Sequence, residues 1–252
     1  MKPSDRQTKI SRILRNKGRV SVDELVSELG TSAETIRRDL TVLSSAGKLQ
    51  KIHGGAILPR VIGEGAFQQR MQENVIAKSQ IAELACKLIS PGDTLFIDTG
   101  STTLIFAEEL ASIDNLTIVT NSTDIANIFD TKSSTEVFLV GGSYNAENHE
   151  TIGSLAIAQL KTFKMKYAIL TIGGIDATAG IMDFNIEEAQ IAKAMAEQAE
   201  VLIVLADNSK LNRIGPFKVA DLNRIDYLVS NNSPDEPLKT ALKNVEIKII
   251  SP

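Results

Sequence analysis

The chain has 252 residues, and its 43% apolar content can bury the core of one large domain or two modest ones. A single cysteine, Cys86, excludes an intramolecular disulfide, and with only His53 and His149 as imidazoles we expect no structural metal. Charges interrupt the N-terminal stretch, and no apolar run reaches the roughly 20 residues that span a bilayer, so we expect a cytoplasmic protein without a membrane partner.

Charge is divided unevenly along the chain. Residues 1–60 contain twelve Lys/Arg and six Asp/Glu, a net charge of +6, whereas the rest contain fifteen and twenty-five, a net charge of −10. A basic head on an acidic body is expected when only the head meets a polyanion such as DNA. The alternative is a solvated basic face that binds nothing.

The basic head has the helix start and stop signals of a helix-turn-helix. A first helix is predicted over "DRQTKISRILRNKG", ended by Gly18. In "VSVDELVSELG", Ser21 and Glu24 form a capping-box pattern, and Gly30 ends the helix. The next helix, "TSAETIRRDLTVLSSAG", is expected to begin with Thr31 as its N-cap. Two capped helices therefore meet at one glycine turn, at about residues 20–39.

The second of these helices is expected to read DNA. Its apolar positions, Ala33, Ile36, Leu40 and Leu43, lie on one face. Side chains at the N-terminal part of such a recognition helix meet base edges in the major groove, where Arg donates to guanine. The candidates on the outward face are Ser32, Thr35, Arg37 and Arg38. Alternatively, these arginines only pair with Glu34 or Asp39 on a surface helix.

The stretch "GKLQKIHGGAIL" predicts a short hairpin with a Gly-Gly turn. Lys48, Lys51 and His53 lie where such a wing would meet the phosphate backbone, contributing charge and register rather than base reading. His53 is equally compatible with a turn residue that has no ligand.

The run from Arg6 to Ala56 resembles the winged helix-turn-helix of the DeoR family of bacterial transcription regulators. The resemblance lies in Thr35 to Leu40, "TIRRDL", and in His53 to Gly55, "HGG". One departure is Lys51, where the family more often has Arg; a phosphate contact tolerates this exchange better than a bidentate base contact. We therefore assign residues 1–58 to a DNA-binding domain and residues 59–74, with Pro59, Gly63 and Gly65, to a linker.

Residues 75–252 alternate short apolar runs with amphipathic segments. After a long helix that ends at "SPGD", the predicted strands are "TLFID", "LTIVT", "EVFLV", "YAILTI", "VLIVLA", "DYLVS" and "EIKII". The predicted helices are "TLIFAEEL", "STDIANIFD", "SLAIAQLKTF", "IEEAQIAKAMAEQA" and "DEPLKTALKN". This order predicts an α/β domain with a mainly parallel sheet covered by helices on both faces.

Four loops at strand ends share one chemistry. They are "DTGSTT", "TNST", "GGSY" and "GGID". Glycine lets backbone amides approach an anion, hydroxyls add donors, and a helix N-terminus favours negative charge, so the loops together predict a phosphate site. They match neither a Walker loop nor a dinucleotide fingerprint. Ordinary turns at strand ends are the alternative.

The order of these loops also resembles the regulatory domain of DeoR-family proteins, which is similar in fold to ribose-5-phosphate isomerase and glucosamine-6-phosphate deaminase. "IEEA" at 186–189 and "ADNSK" at 206–210 strengthen the resemblance. Where the isomerase carries D-G-A-D-E, this chain reads "GGIDA", which keeps only Asp176. Proton abstraction beside a carbonyl needs positioned acid and base groups, so we expect no enzymatic activity and assign no catalytic residue and no cofactor.

We expect the body to sense a small phosphorylated sugar or polyol instead. The candidate effector-binding residues are Asp98, Gly100, Ser101, Thr102, Thr103, Asn121, Ser122, Gly141, Gly142, Gly174, Asp176, Glu188 and Lys210. As alternatives, Lys210 and Glu188 pair with each other, and Asp98 only caps its loop.

These residues together predict a transcriptional regulator that binds operator DNA as a dimer or tetramer and is released by its effector. Repression is favoured, and activation stays open because it depends on where the operator lies. Two other hypotheses are a sugar-phosphate isomerase with an accessory DNA-binding head, and an architectural DNA binder without an effector. The sequence leaves the identity of the sugar phosphate and the operator undetermined.

Overall fold

The computed structural model describes residues 3–45, 49–52, 54–57, 65–130 and 134–252. Its contacts divide the chain into two compact units, Met1–Ile62 and Gly63–Pro252. The domain limits assigned from the sequence stay a prediction, because residues 58–64 lie outside the described part of the chain.

The first unit contains three helices and a small antiparallel sheet within its described residues. Its elements are α1 (Pro3–Lys17), β1 (Arg19–Ser21), α2 (Val22–Leu29), α3 (Ala33–Ser45), β2 (Gln50–Ile52) and β3 (Gly55–Ile57). The sheet order is β1-β3-β2, so β3 lies between its hairpin partner and the short strand before α2. The predicted helices and hairpin are confirmed, and β1 is an addition to them.

The local signals that begin and end α2 are present as expected. Ser21 accepts a hydrogen bond from the Glu24 amide at 3.1 Å, while the Glu24 carboxylate accepts one from the Ser21 amide at 2.7 Å. Gly30 ends α2 in the left-handed conformation, at φ 61°. On the other side of this turn, α3 buries Ile36, Leu40 and Leu43 against α1 and α2. The predicted packing face of α3 is therefore confirmed.

The predicted N-cap of α3 is wrong by one residue. Ser32, not Thr31, accepts a hydrogen bond through its hydroxyl from the amide of Thr35, at 3.3 Å, and its carbonyl accepts from Ile36. The left-handed Gly30 ends α2 and places the second of the two adjacent hydroxyl residues over the first turn of α3.

Gly55 is required by a close approach within the small sheet. A Cβ atom at this position would lie 2.1 Å from the carbonyl oxygen of Val20 in β1, a distance that no side chain can occupy. The glycine therefore lets β3 pair with β1 and closes the sheet beside α2.

The second unit alternates helices and strands. Its elements are α4 (Phe67–Gln72), α5 (Val75–Cys86), β4 (Thr94–Ile97), α6 (Ser101–Leu110), β5 (Thr117–Thr120), α7 (Thr123–Ile128), β6 (Glu136–Leu139), β7 (Ser143–Asn145), β8 (Glu150–Ile152), α8 (Ser154–Leu160), β9 (Met165–Thr171), β10 (Gly174–Asp176), β11 (Gly180–Asp183), α9 (Ile186–Gln198), β12 (Ala199–Leu205), β13 (Phe217–Ala220), β14 (Tyr227–Val229), α10 (Leu238–Asn244) and β15 (Lys248–Ile250).

All seven strands predicted for this unit join one parallel sheet, in the order β15-β14-β12-β9-β4-β5-β6. Neighbouring residues of β4 point to opposite faces: Leu95 and Ile97 pack with α5, α6 and α7, whereas Phe96 packs with α8, α9 and α10. The predicted α/β fold, a parallel sheet covered on both faces, is confirmed.

The strand order reverses between β4 and β9, because the chain builds the sheet outward from β4 in one direction and then from β9 in the other. Ligands of open α/β sheets bind outside the carboxyl ends of the strands at such a switch point. Two features near this edge were not predicted: the hairpin β7–β8 and the small sheet β10-β11-β13.

Candidate functional site

The outward face of α3 carries two exposed arginines. Arg37 and Arg38 are both exposed, and Arg38 lies 3.5 Å from Glu34 across one turn, with the two side chains 80% and 66% exposed. Such an exposed pair contributes little and opens easily when a stronger partner arrives. Asp39, by contrast, is 4% exposed and accepts hydrogen bonds from Arg6 and Gln7 of α1. Asp39 therefore holds α1 against α3 and leaves the arginines on the surface.

The neighbouring polar residues extend this face. The Ser32 and Thr35 hydroxyls lie 2.9 Å apart at the start of α3. The exposed Lys51 of β2 donates to the Thr41 hydroxyl at 2.9 Å, and that hydroxyl donates to the carbonyl of Arg37 at 2.8 Å. The wing lysine is thus tied to the arginine-bearing helix. The remaining candidates, Lys48 and His53, lie outside the described residues.

A polar cavity of about 500 Å³ opens at the carboxyl edge of the large sheet, within the usual size range of small-molecule sites. It is lined by Gly65, Arg70, Asn145, Glu147, Asn148, Asp183, Phe184, Asn185, Ile186, Glu188 and Phe217. Behind it lies an inner space of about 10 Å³, room for about one water molecule, lined by Arg70, Asp98, Thr99, Asn121, Glu150, Thr171, Asp183, Glu188 and Ile191. Arg70, Asp183 and Glu188 border both spaces.

Asp98 and Thr171 meet at the switch point of the sheet. The buried Asp98 carboxylate accepts a hydrogen bond from the Thr171 amide at 3.1 Å, which joins the ends of β4 and β9. Burial, together with the nearby charges of Asp183, Glu188 and Glu150, raises the pKa of Asp98 well above its ordinary value. Gly100 follows closely, and a Cβ there would lie 2.2 Å from the Thr171 hydroxyl.

Glu150 is the centre of a buried amide network. Its carboxylate, in a residue only 1% exposed, accepts hydrogen bonds from the side-chain amides of Asn145 and Asn148 at 3.0 Å and of Asn121 at 3.3 Å. Burial raises the pKa of Glu150, although these bonds and the charge of Arg70 oppose the shift. Asn121 in turn accepts from the amide of Thr99 at 3.2 Å. The network therefore links the hairpin β7–β8 to the loop after β4.

Arg70 approaches the same network from α4. Its Nη2 donates to the Asn148 side chain at 3.4 Å, and its guanidinium lies 5.6 Å from the ring centroid of Phe67. Asn148 also donates to Glu188 at 2.9 Å. Arg70 is thus joined through one amide to carboxylates of both the hairpin and α9.

The structure brings together only part of the effector site expected from the sequence. Asp98, Asn121 and Glu188 line the two spaces. The remaining candidates line neither space: Gly100, Ser101, Thr102, Thr103, Ser122, Gly141, Gly142, Gly174, Asp176 and Lys210. Their effector contacts stay a prediction.

Several of these remaining residues have local structural roles. The Thr103 hydroxyl donates to the carbonyl of Gly100 at 3.1 Å, and Ser122 caps α7 by accepting from the Ile125 amide. A Cβ at Gly142 or Gly174 would collide with the backbone of Ile152 or Arg213. These two glycines therefore permit close packing of the chain against itself.

Asp176 is engaged in the turn that follows β10. Its carboxylate accepts hydrogen bonds from the amide and hydroxyl of Thr178 and from the amide of Ala179, at 2.8–3.0 Å. These bonds lower the pKa of Asp176.

Sequence reasoning missed Arg70, Asn145, Asn148, Glu150 and Asp183. A usable signal for three of them was the polar run "YNAENHE", whose amides and carboxylates are unusually dense for a surface loop. Arg70 lies in the segment that the sequence assigned to the linker, where nothing distinguishes it from other charged residues.

Among the described residues, no cluster of three or more His, Cys, Asp or Glu side chains has the arrangement of a metal site. No helix in the described part of the chain is both long and apolar enough to cross a membrane.

Comparison with known proteins defines the class. Residues 6–60 match the profile of the DeoR-like helix-turn-helix domain, and residues 73–232 match that of the DeoR C-terminal sensor domain. The chain belongs to the DeoR family of transcriptional regulators, which confirms the resemblance seen in the sequence.

Curated relatives match over nearly the full chain. The glycerol-3-phosphate regulon repressor of Haemophilus influenzae is 32% identical over 250 residues, which cover 99% of this chain and 97% of the relative. The repressor GlcR of Bacillus subtilis is 30% identical over 237 residues, covering 94% and 91%. Among solved structures, ribose 5-phosphate isomerase A of Methanocaldococcus jannaschii aligns over 55% of each chain, with 18% identity and a TM-score of 0.40.

Proposed function

We propose that this protein is a DNA-binding repressor of a sugar or polyol catabolic operon that leaves its operator when a phosphorylated intermediate binds the second unit. The observation that carries the proposal is the exposed Arg37–Arg38 pair on a helix whose other face is buried in the head. Relatives that match over the full chain are named as repressors, one of them of a glycerol-3-phosphate regulon. The protein then acts in the cytoplasm, where its operator lies.

The cavity supports sensing rather than catalysis. Its lining offers amide and carboxylate groups that suit the hydroxyls of a sugar or polyol. Asp176, the single carboxylate retained at the isomerase-like "GGIDA", is occupied by its own turn and has a lowered pKa, which makes it a poor general base. We therefore propose that the protein is not an enzyme.

The operator is proposed to contain two half-sites, each bound by one head of a dimer or of a dimer within a tetramer. Helix-turn-helix dimers bind two half-sites that lie one turn of DNA apart, or a multiple of it, and the two-fold symmetry of the protein matches that of the operator. Mass measurement by light scattering tests the oligomeric state.

Replacement of Arg37 and Arg38 together tests the DNA interface. We expect R37A/R38A to lose operator binding by a factor of about 100 or more, because each guanidinium contact to a base or phosphate contributes roughly 1–3 kcal/mol. Fluorescence anisotropy with DNA from upstream of the protein's own operon measures the change. The matched control is K239A/K243A, which removes two charges from exposed positions of α10 in the second unit. Unchanged affinity in R37A/R38A, or an equal loss in the control, contradicts the assignment of α3.

A ligand screen tests the sensing function. We expect at least one phosphorylated compound, from glycerol 3-phosphate to hexose and hexitol phosphates, to raise the melting temperature and to release the operator, while its unphosphorylated counterpart does neither. An architectural DNA binder predicts no shift with any of them, and an isomerase predicts turnover of one.

A further inference from the structure

Arg70 occupies a distinctive place between the two spaces of the cavity. It borders both the 500 Å³ cavity and the small inner space. Its guanidinium is partly buried, lies over Phe67 and donates to Asn148. The residue thus presents a positive charge at the passage from the open cavity to the end of the parallel sheet.

The charges around this passage are unbalanced. Five carboxyl groups line the two spaces, those of Asp98, Glu147, Glu150, Asp183 and Glu188, and burial raises the pKa of Asp98 and Glu150 among them. Arg70 is the one Lys or Arg among the described residues that line them. A phosphate that enters this site meets the negative charge of the ionised carboxylates, and a neighbouring cation offsets that repulsion.

We propose that Arg70 is a phosphate-binding residue of this site and that the effector phosphate competes with Asn148 and the neighbouring carboxylates for its guanidinium. This inference rests on the proposed function. The planar guanidinium offers two parallel N–H donors to phosphate oxygens, a geometry that a neutral amide cannot reproduce. The hydroxyls of the ligand then meet the amides and carboxylates of the outer cavity.

The hydrogen bonds of Asn148 determine what the phosphate has to replace at Arg70. Asn148 accepts from Arg70 at 3.4 Å and donates to Glu188 at 2.9 Å and to Glu150 at 3.0 Å. At 3.4 Å the bond to Arg70 is the longest of the three that Asn148 makes, and a charge-assisted bond from the guanidinium to phosphate is stronger than a bond to a neutral amide.

The position of Arg70 in the chain also suggests how ligand binding affects the DNA-binding unit. The carbonyl of Arg70 accepts from the buried Lys78 ammonium, and the Asn74 amide donates to Asp207 at 3.3 Å. These bonds tie α4 to α5, and the start of α5 to the segment after β12, all within the second unit. Among the described residues, α4 is the first helix of that unit in chain order. A shift of Arg70 toward the phosphate therefore acts on the chain segment that leads to the DNA-binding unit.

The first test is substitution of Arg70 with the neutral, hydrogen-bonding glutamine. Calorimetric titration with glycerol 3-phosphate, the hexose phosphate most active in the screen and inorganic phosphate is expected to show affinity in R70Q reduced roughly tenfold or more. The control is K239Q, which removes a positive charge from an exposed position of α10 that lines neither space. We expect K239Q to bind as the wild type does. Equal losses in both variants, or no loss in R70Q, overturn the proposal.

The second test separates competition from a merely structural role. Glu188→Gln keeps a hydrogen-bonding side chain but removes one competing charge, so phosphate should bind roughly threefold or more tightly. In the R70Q background, the gain in phosphate affinity from E188Q should be smaller, because the guanidinium for which Glu188 and the phosphate compete is absent. A gain of equal size in both backgrounds contradicts competition for Arg70. Circular dichroism checks folding, and R70K replaces R70Q in the cycle if the latter does not fold.

Operator release distinguishes this proposal from the proposed function. If the wild-type protein does not bind its operator, the proposed function fails. If phosphorylated ligand releases the operator from wild type and from R70Q equally well, the function stands and the assignment of Arg70 fails. Absence of binding by every phosphate compound to the wild-type protein overturns both the proposed sensing function and this assignment.

Discussion

At the scale of single residues, the site depends on carboxylates that are costly to bury. Asp98 is held at the junction of β4 and β9 by the amide of Thr171, yet three other carboxylates surround it. The sequence predicted either an effector contact or a loop cap for Asp98, and the effector contact stays a prediction. The hydrogen bond of Asp98 joins two strands of the sheet, and burial disfavours its charged form.

Asp98→Asn should stabilise the protein increasingly as the pH rises. Because the pKa of Asp98 is higher in the folded than in the unfolded chain, the folded state retains a proton that the unfolded state loses above the ordinary value of 3.8. The wild type therefore loses stability as the pH rises through this window, by about 1.4 kcal/mol for each unit of difference in pKa. Asparagine has no proton to lose and keeps an acceptor for Thr171.

Urea unfolding of both proteins across the acidic and neutral range measures this difference. The increase in the free energy of unfolding of D98N over wild type should be absent below the ordinary pKa of an aspartate. It should level off above the pKa of Asp98 in the folded protein. The control is D130N, which makes the same exchange of carboxylate for amide at an exposed position. A D98N variant that is less stable than wild type at neutral pH would show that the charge of Asp98 is compensated.

The sequence predicted those site residues whose positions are set by the local secondary structure. Asp98 and Asn121 directly follow strands, so the alternation of the sequence placed them at the sheet edge. Glu150 enters from a hairpin and Arg70 from α4, 80 residues earlier. Their meeting depends on tertiary packing, which periodicity does not encode.

At the scale of elements, the start of α3 shows that the sequence pattern of an N-cap can locate a helix start only to within one residue. Thr31 and Ser32 are adjacent hydroxyl residues after a glycine, and either satisfies the sequence pattern of an N-cap. The structure selects Ser32, which bonds the Thr35 amide. By contrast, α2 has one suitable hydroxyl with a glutamate three residues later, and its cap was predicted correctly.

Ser32→Ala should destabilise the first unit by about 1 kcal/mol, because the amide of Thr35 loses its acceptor. Ser32→Asp should retain stability, since aspartate caps equally well, and Thr31→Ala should have little effect. Chemical unfolding followed by circular dichroism measures all three. A larger loss in T31A than in S32A would place the cap on the other residue.

At the scale of the whole molecule, the charge division follows the two compact units. The head carries a net +6 within residues 1–60, and the remaining chain carries −10. The sequence predicted the parallel sheet because alternating strands and helices have few other solutions. It did not predict the shape of the cavity, because the cavity is formed by segments from α4, the hairpin β7–β8 and α9.

Salt dependence should separate the residues that position the DNA from those that read it. Each phosphate neutralised by a cation adds about −0.9 to the slope of log affinity against log salt. Lys51→Ala should therefore reduce the magnitude of this slope by about 1, because a wing lysine contacts phosphate. It should weaken binding to operator DNA and to unrelated DNA equally. Arg37→Ala should instead reduce the preference for the operator over unrelated DNA. Anisotropy titrations at several salt concentrations measure both effects, with K239A/K243A as control. If K51A reduced operator binding alone, Lys51 would be a base-reading residue, and the recognition surface would extend from α3 into the wing.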